Sequence, residues 1–176
     1  MDDDYLIFGE TTFSPCRHYR YTLWREWIGG KGYAMFVGLN PSTADEARDD
    51  PTVRRCISYA KQWGYAALCM TNLFAYRATD PAVMLASASP VGPENDAHLI
   101  RCAELAGIVV AAWGCDGGHM DRAAKVCALL PDLHYLWLTK GGHPGHPLYL
   151  PSRLRPTLWP AKQRSVCLPS VQKASP

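Results

Sequence analysis

The amino-acid sequence predicts one α/β domain, a three-layer α/β/α sandwich around a mainly parallel four-stranded sheet, with a β-hairpin at its start. Three observations carry the prediction. Four short, predominantly apolar segments, residues 33–39, 66–74, 108–113 and 133–139, read as buried strands, the first a continuous apolar run of the kind found in a sheet covered on both faces. Segments with helical spacing separate them, and a β–α–β–α–β–α–β order is met by parallel strands with helices packed on either side. A chain of 176 residues also suits a single core.

The elements follow in order. Residues 5–28 set aromatic side chains between polar ones, and His18-Tyr19-Arg20-Tyr21-Thr22-Leu23 has the period of two of a strand. Gly29-Gly30-Lys31-Gly32 then reads as the turn of an opening hairpin. The run Tyr33-Ala34-Met35-Phe36-Val37-Gly38-Leu39 is the first buried strand, releasing into Asn40-Pro41-Ser42-Thr43-Ala44-Asp45, a loop of turn and cap residues. Val53, Cys56, Ile57 and Ala60 at helical spacing predict a helix over 51–63, with Asp50 as N-cap, Pro51 at its first position and Gly64 as its stop. A second strand over 66–74 leads to a short helix over 80–88 and a longer one over 95–106, with Gly107 at its C-cap. The third strand, 108–113, ends at Gly114, and a helix over 121–130 precedes the fourth strand, 133–139. From Pro151 the composition turns to Pro, Ser, Lys and Arg, so the domain is bounded at 1–160 with 161–176 a loose tail.

With 48% hydrophobic and 19% charged residues, the composition is that of a globular chain rather than a disordered one. A formal net charge of +2 neither demands nor excludes nucleic acid. Cys16, Cys56, Cys69, Cys102, Cys115, Cys127 and Cys167 form no C-x-x-C pair, and several lie inside apolar runs, which predicts reduced core thiols rather than a metal centre. The opening Met1-Asp2-Asp3-Asp4 has neither the basic nor the apolar region of a signal peptide, and no segment approaches the ~20 apolar residues of a membrane span. A cytoplasmic monomer without metal or other cofactor, and without membrane contact, is expected.

In parallel sheets ligands bind beyond the carboxyl ends of the strands, so the informative loops are 40–50, 72–80, 114–119 and 140–149. At the first, Gly38 lets backbone approach a ligand, and Pro41 fixes the geometry after Asn40. An Asn held this way can present its carbonyl to a water, or simply serve an Asx turn. Asn72, in Thr71-Asn72-Leu73-Phe74, offers a donor and an acceptor together, which suits the Watson–Crick edge of a base; bonding to loop backbone is the alternative. The loop Gly141-Gly142-His143-Pro144-Gly145-His146-Pro147-Leu148-Tyr149 carries two His-Pro units, and an imidazole there can stabilise negative charge on a departing group. Metal binding competes, but no third ligand lies nearby in sequence. Arg54 and Arg55 either clamp phosphate or pair with Asp49 and Asp50 on the surface. In Pro90-Val91-Gly92-Pro93-Glu94-Asn95-Asp96, helix capping by Asn95 or Asp96 accounts for part of the motif.

Together these loops resemble a known set. Gly38-Leu39-Asn40-Pro41-Ser42 is similar to the first motif of uracil-DNA glycosylases of the mismatch-specific and single-strand-selective types, Gly-x-Asn-Pro-Gly. The stretch from His146-Pro147-Leu148-Tyr149 to Ser152 resembles their second motif, and 68–74 resembles the intervening strand that carries a base-reading Asn. More closely, residues from about 35 to 159 resemble the bacterial and phage family called domain of unknown function 1643, through Gly-Leu-Asn-Pro-Ser, Asp-Pro-Thr-x-Arg-Arg, Thr-Asn-Leu-Phe and His-Pro-Leu-Tyr.

The glycosylase resemblance implies that Asn40 positions a hydrolytic water or the sugar, Asn72 reads the base edge, and His146 sits near the departing base oxygen. Gly38, Leu39, Pro41, Ser42, Phe74, His143, Leu148 and Tyr149 would complete the substrate site, with Arg54, Arg55, Arg77 and Lys140 on phosphate. A duplex substrate would need base flipping, with Leu148 or Tyr149 as wedge. Ser42 in place of the second glycine and Leu148 in place of Ser depart from the uracil pattern, so a modified base fits as well. The expected function is N-glycosidic hydrolysis of a nucleobase in DNA, in repair or modification. The alternatives are a free-nucleotide or base-modifying enzyme with the same pocket, and a non-catalytic nucleic-acid-binding domain.

Overall fold

Successive side chains of a strand point to opposite faces, and in the middle of this molecule both faces are apolar. Ala34, Phe36, Leu68, Met70 and Val110 join one buried cluster with Val53, Cys56, Tyr59 and Ala60 of helix α1 (Pro51–Gln62). Met35, Val37, Cys69, Val109 and Ala111 join the other. That second cluster takes Met84 from α2 (Pro81–Leu85), Leu99 and Cys102 from α3 (Asn95–Glu104), and Ala123, Val126 and Cys127 from α4 (Arg122–Leu129). Helices therefore cover both sides of the sheet.

The computed structural model describes residues 6–45, 47–130 and 132–164. Its sheet has seven strands: β1 (Leu6–Phe13), β2 (Arg20–Trp27), β3 (Tyr33–Gly38), β4 (Ala67–Asn72), β5 (Ile108–Ala111), β6 (Leu133–Tyr135) and β7 (Thr157–Leu158). Their spatial order is β1-β2-β4-β3-β5-β6-β7. The four apolar runs of the sequence supply the parallel strands β4, β3, β5 and β6. Antiparallel strands extend the sheet at both edges, β2 and β1 beyond β4, and β7 beyond β6.

The hairpin is differently placed from the sequence expectation. β1 and β2 form it, closed by Ser14 N donating to Tyr19 O at 3.0 Å. The glycine run 29–32 does not fold β2 back on β3, because β4 lies between them. Gly29, Gly30 and Gly32 have positive φ and carry the chain past the end of β4. There Lys31 N donates to Gly64 O and Ala66 N to Gly32 O, and a Cβ on Gly30 would lie 2.5 Å from the Gly64 carbonyl oxygen.

Local signals set the helices. Asp50 Oδ1 accepts from Val53 N at 2.8 Å ahead of Pro51, and Gly64, at φ 87°, follows the last turn of α1. Asp80 caps α2 through Ala82 N. Gly107 is not a left-handed cap: Leu105 closes α3, and a Cβ on Gly107 would meet the Tyr65 ring at 2.4 Å. Neither Asn95 nor Asp96 caps α3. A 3₁₀ segment, Cys115–Asp121, leads into α4.

Packing continues beyond Pro160, where the tail was expected to begin. Ala161–Gln163 form a 3₁₀ turn, and buried Arg164 donates to Trp159 O at 2.8 Å. The rest of that segment, 165–176, lies outside the described residues. Cys16, Cys56, Cys69, Cys102 and Cys115 are free thiols. Cys127 is disulfide-bonded, so reduced thiols do not account for every cysteine. Among the described residues no helix is long and apolar enough to cross a membrane.

Candidate functional site

At the carboxyl ends of β3, β4 and β5 the chain leaves a cavity of about 660 Å³, whose remaining walls come from the first residues of β2, α1 and α2 and from the loop after β6. That volume falls in the range of small-molecule sites, roughly 300–1,000 Å³. Its floor is set by Gly38 and Asn72, which are register partners on β3 and β4. A Cβ on Gly38 would lie 2.8 Å from Asn72 Oδ1 and 2.9 Å from Met70 Cε, so glycine makes room for the carboxamide. Asn72 is buried, and its Nδ2 has no acceptor among the described residues.

Asn95 supplies the support behind it. Its Nδ2 donates to the carbonyls of Asn72 and Leu73, each at 3.0 Å. Arg122 Nε donates to Leu73 O at 2.7 Å, and its Nη2 to Asp96 Oδ1. The 90–96 motif is thus a clamp on the end of β4 rather than a helix cap.

Asn40 is fixed by its own amide. Nδ2 donates to Pro41 O at 3.0 Å and Ala78 O at 2.8 Å, which leaves Oδ1 as the end not engaged by backbone. His146 Nδ1 accepts from Leu148 N at 3.3 Å, so the neutral ring carries its proton on Nε2. Burial pushes the His146 pKa below its ordinary value, against the opposing charge of Asp50. The neutral donor is therefore favoured. The Tyr149 ring packs 5.4 Å from His146, and Tyr149 and Trp137 stand exposed at the rim.

Of the residues expected at the site, Gly38, Leu39, Asn40, Ser42, Asn72, His146, Leu148 and Tyr149 line the cavity. Pro41 and Phe74 are buried outside its lining, Pro41 O accepting from Ala78 N and Phe74 packing on His119. His143 is absent from the lining; it forms the turn of the loop, with its N bonded to Thr139 Oγ1 at 3.1 Å. Arg54, Arg55 and Lys140 are also absent from it. Arg54 is exposed and donates to Asp49 O. Arg77 lines an adjoining groove with Arg17 and His18.

Several lining residues are not among the expected site residues: Asp50, Cys115 and Asp116 lie in the loops expected to bind ligand, whereas Arg20, Trp113 and Trp137 lie outside those loops. Arg20 arrives because β2 runs antiparallel to β4, which sets the first residue of β2 beside the carboxyl end of its neighbour; Arg20 N donates to Ala75 O at 2.9 Å. Burial lowers its pKa to about 10. Its sequence signal is slight, a cation inside an aromatic strand. Among the described residues no group of three or more His, Cys, Asp or Glu side chains gathers as a metal site requires.

Fold and site together define an α/β protein with a pocket at the carboxyl edge of the parallel strands of its sheet. Residues 20–148 match the family model described as "Protein of unknown function (DUF1643)", and the chain belongs to that family. No curated protein and no solved structure matches it.

Proposed function

We propose that the pocket binds a nucleobase and hydrolyses its N-glycosidic bond, with DNA as the substrate polymer. Asn72 carries this reading: a buried carboxamide lines the cavity, its backbone is clamped from behind, and its Nδ2 has no acceptor among the described residues. Such a group is suited to a base edge. The four parallel strands, with Gly-x-Asn-Pro after one and His-Pro in the loop following another, fit a uracil-DNA glycosylase-like fold.

The chemistry needs no strong nucleophile. As the bond from C1′ breaks, its electrons pass to the base, where His146 Nε2–H and Asn72 Nδ2–H stabilise the anion. A water oriented by Asn40 Oδ1 adds to C1′, and its proton ends on the released base. Tyr149, 82% exposed at the rim, is better placed than half-buried Leu148 to fill the gap left by a flipped base.

A free nucleotide is the second reading. It is favoured by the lining itself, in which Asp50 and Asp116 appear and Arg54, Arg55 and Lys140 do not. Salt separates the two, since polymer binding weakens steeply with ionic strength and small-ligand binding hardly at all.

The test is incubation with labelled oligonucleotides carrying uracil, hypoxanthine or hypermodified bases, followed by alkali to reveal abasic sites. Free nucleotides are assayed in parallel for released base. Cleavage that Asn40→Ala and Asn72→Ala abolish, with folding retained, is the expected result. Cleavage undiminished in Asn40→Ala rejects the water-positioning role, and no release from any substrate rejects hydrolysis.

A further inference from the structure

We propose that the ligand of this pocket carries a phosphate group and that Arg20 binds it; the assignment to a nucleotide rests on the nucleobase reading above.

A buried guanidinium is costly unless paired and fully hydrogen-bonded. β2 buries two of them, and they differ. Arg25 has a partner on every nitrogen: Nε bonds Asp49 Oδ1 at 2.8 Å, Nη1 bonds Trp24 O at 2.8 Å, and Nη2 bonds Asp45 O at 2.6 Å. Arg20, 2% exposed, has Nη1 on Ala44 O at 2.6 Å, while its Nε has no acceptor. Among the described residues it forms no ion pair. Asp50, the carboxylate whose charge acts on it most, is held by Val53 N as the cap of α1.

Arg20 lines the same cavity as Asn72 and Trp113. Arg20 Nε and Asn72 Nδ2 have no partner among the described residues, and both are N–H donors. Asp50 and Asp116 also line the cavity, so it is the buried Arg20 cation without an ion pair, not the lining as a whole, that selects a negatively charged group on the ligand. The planar fork of a guanidinium matches the oxygens of phosphate. With Asn72 on the base edge, the ligand is a nucleotide unit, either free or within a strand. Arg77, which lines the adjoining groove, is placed for the next phosphate of a strand.

The experiment is calorimetric titration of the full chain with inorganic phosphate, the common nucleosides, their monophosphates and a short single-stranded deoxyoligonucleotide. For at least one base the monophosphate should bind roughly tenfold to a hundredfold tighter than its nucleoside, as a charge-assisted hydrogen bond provides. Arg20→Gln should erase that difference, and Arg20→Lys should restore part of it. Equal binding of nucleoside and monophosphate overturns the proposal even if the variants fail to fold. A preference that survives intact in Arg20→Gln overturns it too, as does binding of none of the probes.

Nucleosides distinguished by base through Asn72, with no gain from phosphate, would leave the base reading standing and remove Arg20. Phosphate binding lost in Arg20→Gln, with no base preference, would support Arg20 and remove the base reading. An oligonucleotide that binds more tightly than the mononucleotide, and loses that gain in Arg77→Gln, identifies a strand as the source. Mononucleotide binding without such a gain identifies a free nucleotide.

Discussion

Replacing Asn95 with alanine should destabilise the protein by about 2–4 kcal/mol, although Asn95 touches no part of the cavity. The side chain is 1% exposed and spends its amide on two buried carbonyls, Asn72 O and Leu73 O, each at 3.0 Å. Two such bonds contribute about 1 kcal/mol each in net terms. The two carbonyls do not lose equally. Leu73 O keeps Arg122 Nε at 2.7 Å, whereas Asn72 O has no other side-chain partner. Stranding that carbonyl costs about 1–3 kcal/mol by itself, which raises the sum above the two bonds alone. For a chain of 176 residues this corresponds to a fall in Tm of roughly 5–15 °C. Urea unfolding should show a lower midpoint at unchanged slope. Asn95→Asp sharpens the test, because it keeps the shape and turns an acceptor towards two carbonyls. A loss below about 0.5 kcal/mol in Asn95→Ala, or wild-type stability in Asn95→Asp, would refute the clamp.

Two further perturbations address the floor and the rim. In Gly38→Ala the new methyl meets Met70 Cε, which can yield, and Asn72 Oδ1, which can yield only if the carboxamide turns. We expect a stability loss of about 1–3 kcal/mol and at least a tenfold loss of ligand affinity by calorimetry; unchanged affinity would remove Asn72 from recognition. His146, its pKa lowered chiefly by burial, should make stability pH-dependent. Above the ordinary histidine value of about 6.5 both folded and unfolded states are neutral there and no effect arises. As pH falls below that value the unfolded chain takes up the proton first, so folding is penalised, fully so below the depressed folded value. His146→Asn should lose stability less steeply than wild type across this window in urea titrations; parallel curves would contradict it.

The parallel core was legible because burial on both faces leaves unbroken apolar runs, as in Ala34-Met35-Phe36-Val37, and because Asp50-Pro51 and Asp80-Pro81 are local capping signals. Asn40, Asn72 and His146 were legible for a related reason: they end or follow such runs. What escaped depends on partners distant in sequence. Thr157-Leu158 of β7 are two exposed residues with no periodicity, visible as a strand only beside β6. Gly107 has the place of a helix stop, yet its lack of a side chain serves the Tyr65 ring. Asn95 sits where a cap belongs and bonds a strand instead. Arg20 carries no such signal, because the carboxyl-end rule points to loops after parallel strands, and an antiparallel neighbour brings its opposite end to the same edge.

That geometry gives the hairpin a part in the site. The described residues of the loop between Asn40 and α1 have no regular structure, and two buried arginines of β2 hold it: Arg20 at Ala44 O, Arg25 at Asp45 O and at Asp49. The family match begins at residue 20, the first residue of β2, and so leaves β1 outside. β2 thus ties the Gly-Leu-Asn-Pro-Ser turn to the start of α1 from outside the parallel core. Loss of either arginine should therefore loosen the Asn40 loop before it disturbs the packed faces of the sheet, because, apart from the Arg25 bond to Trp24 O, the bonds it breaks are to that loop.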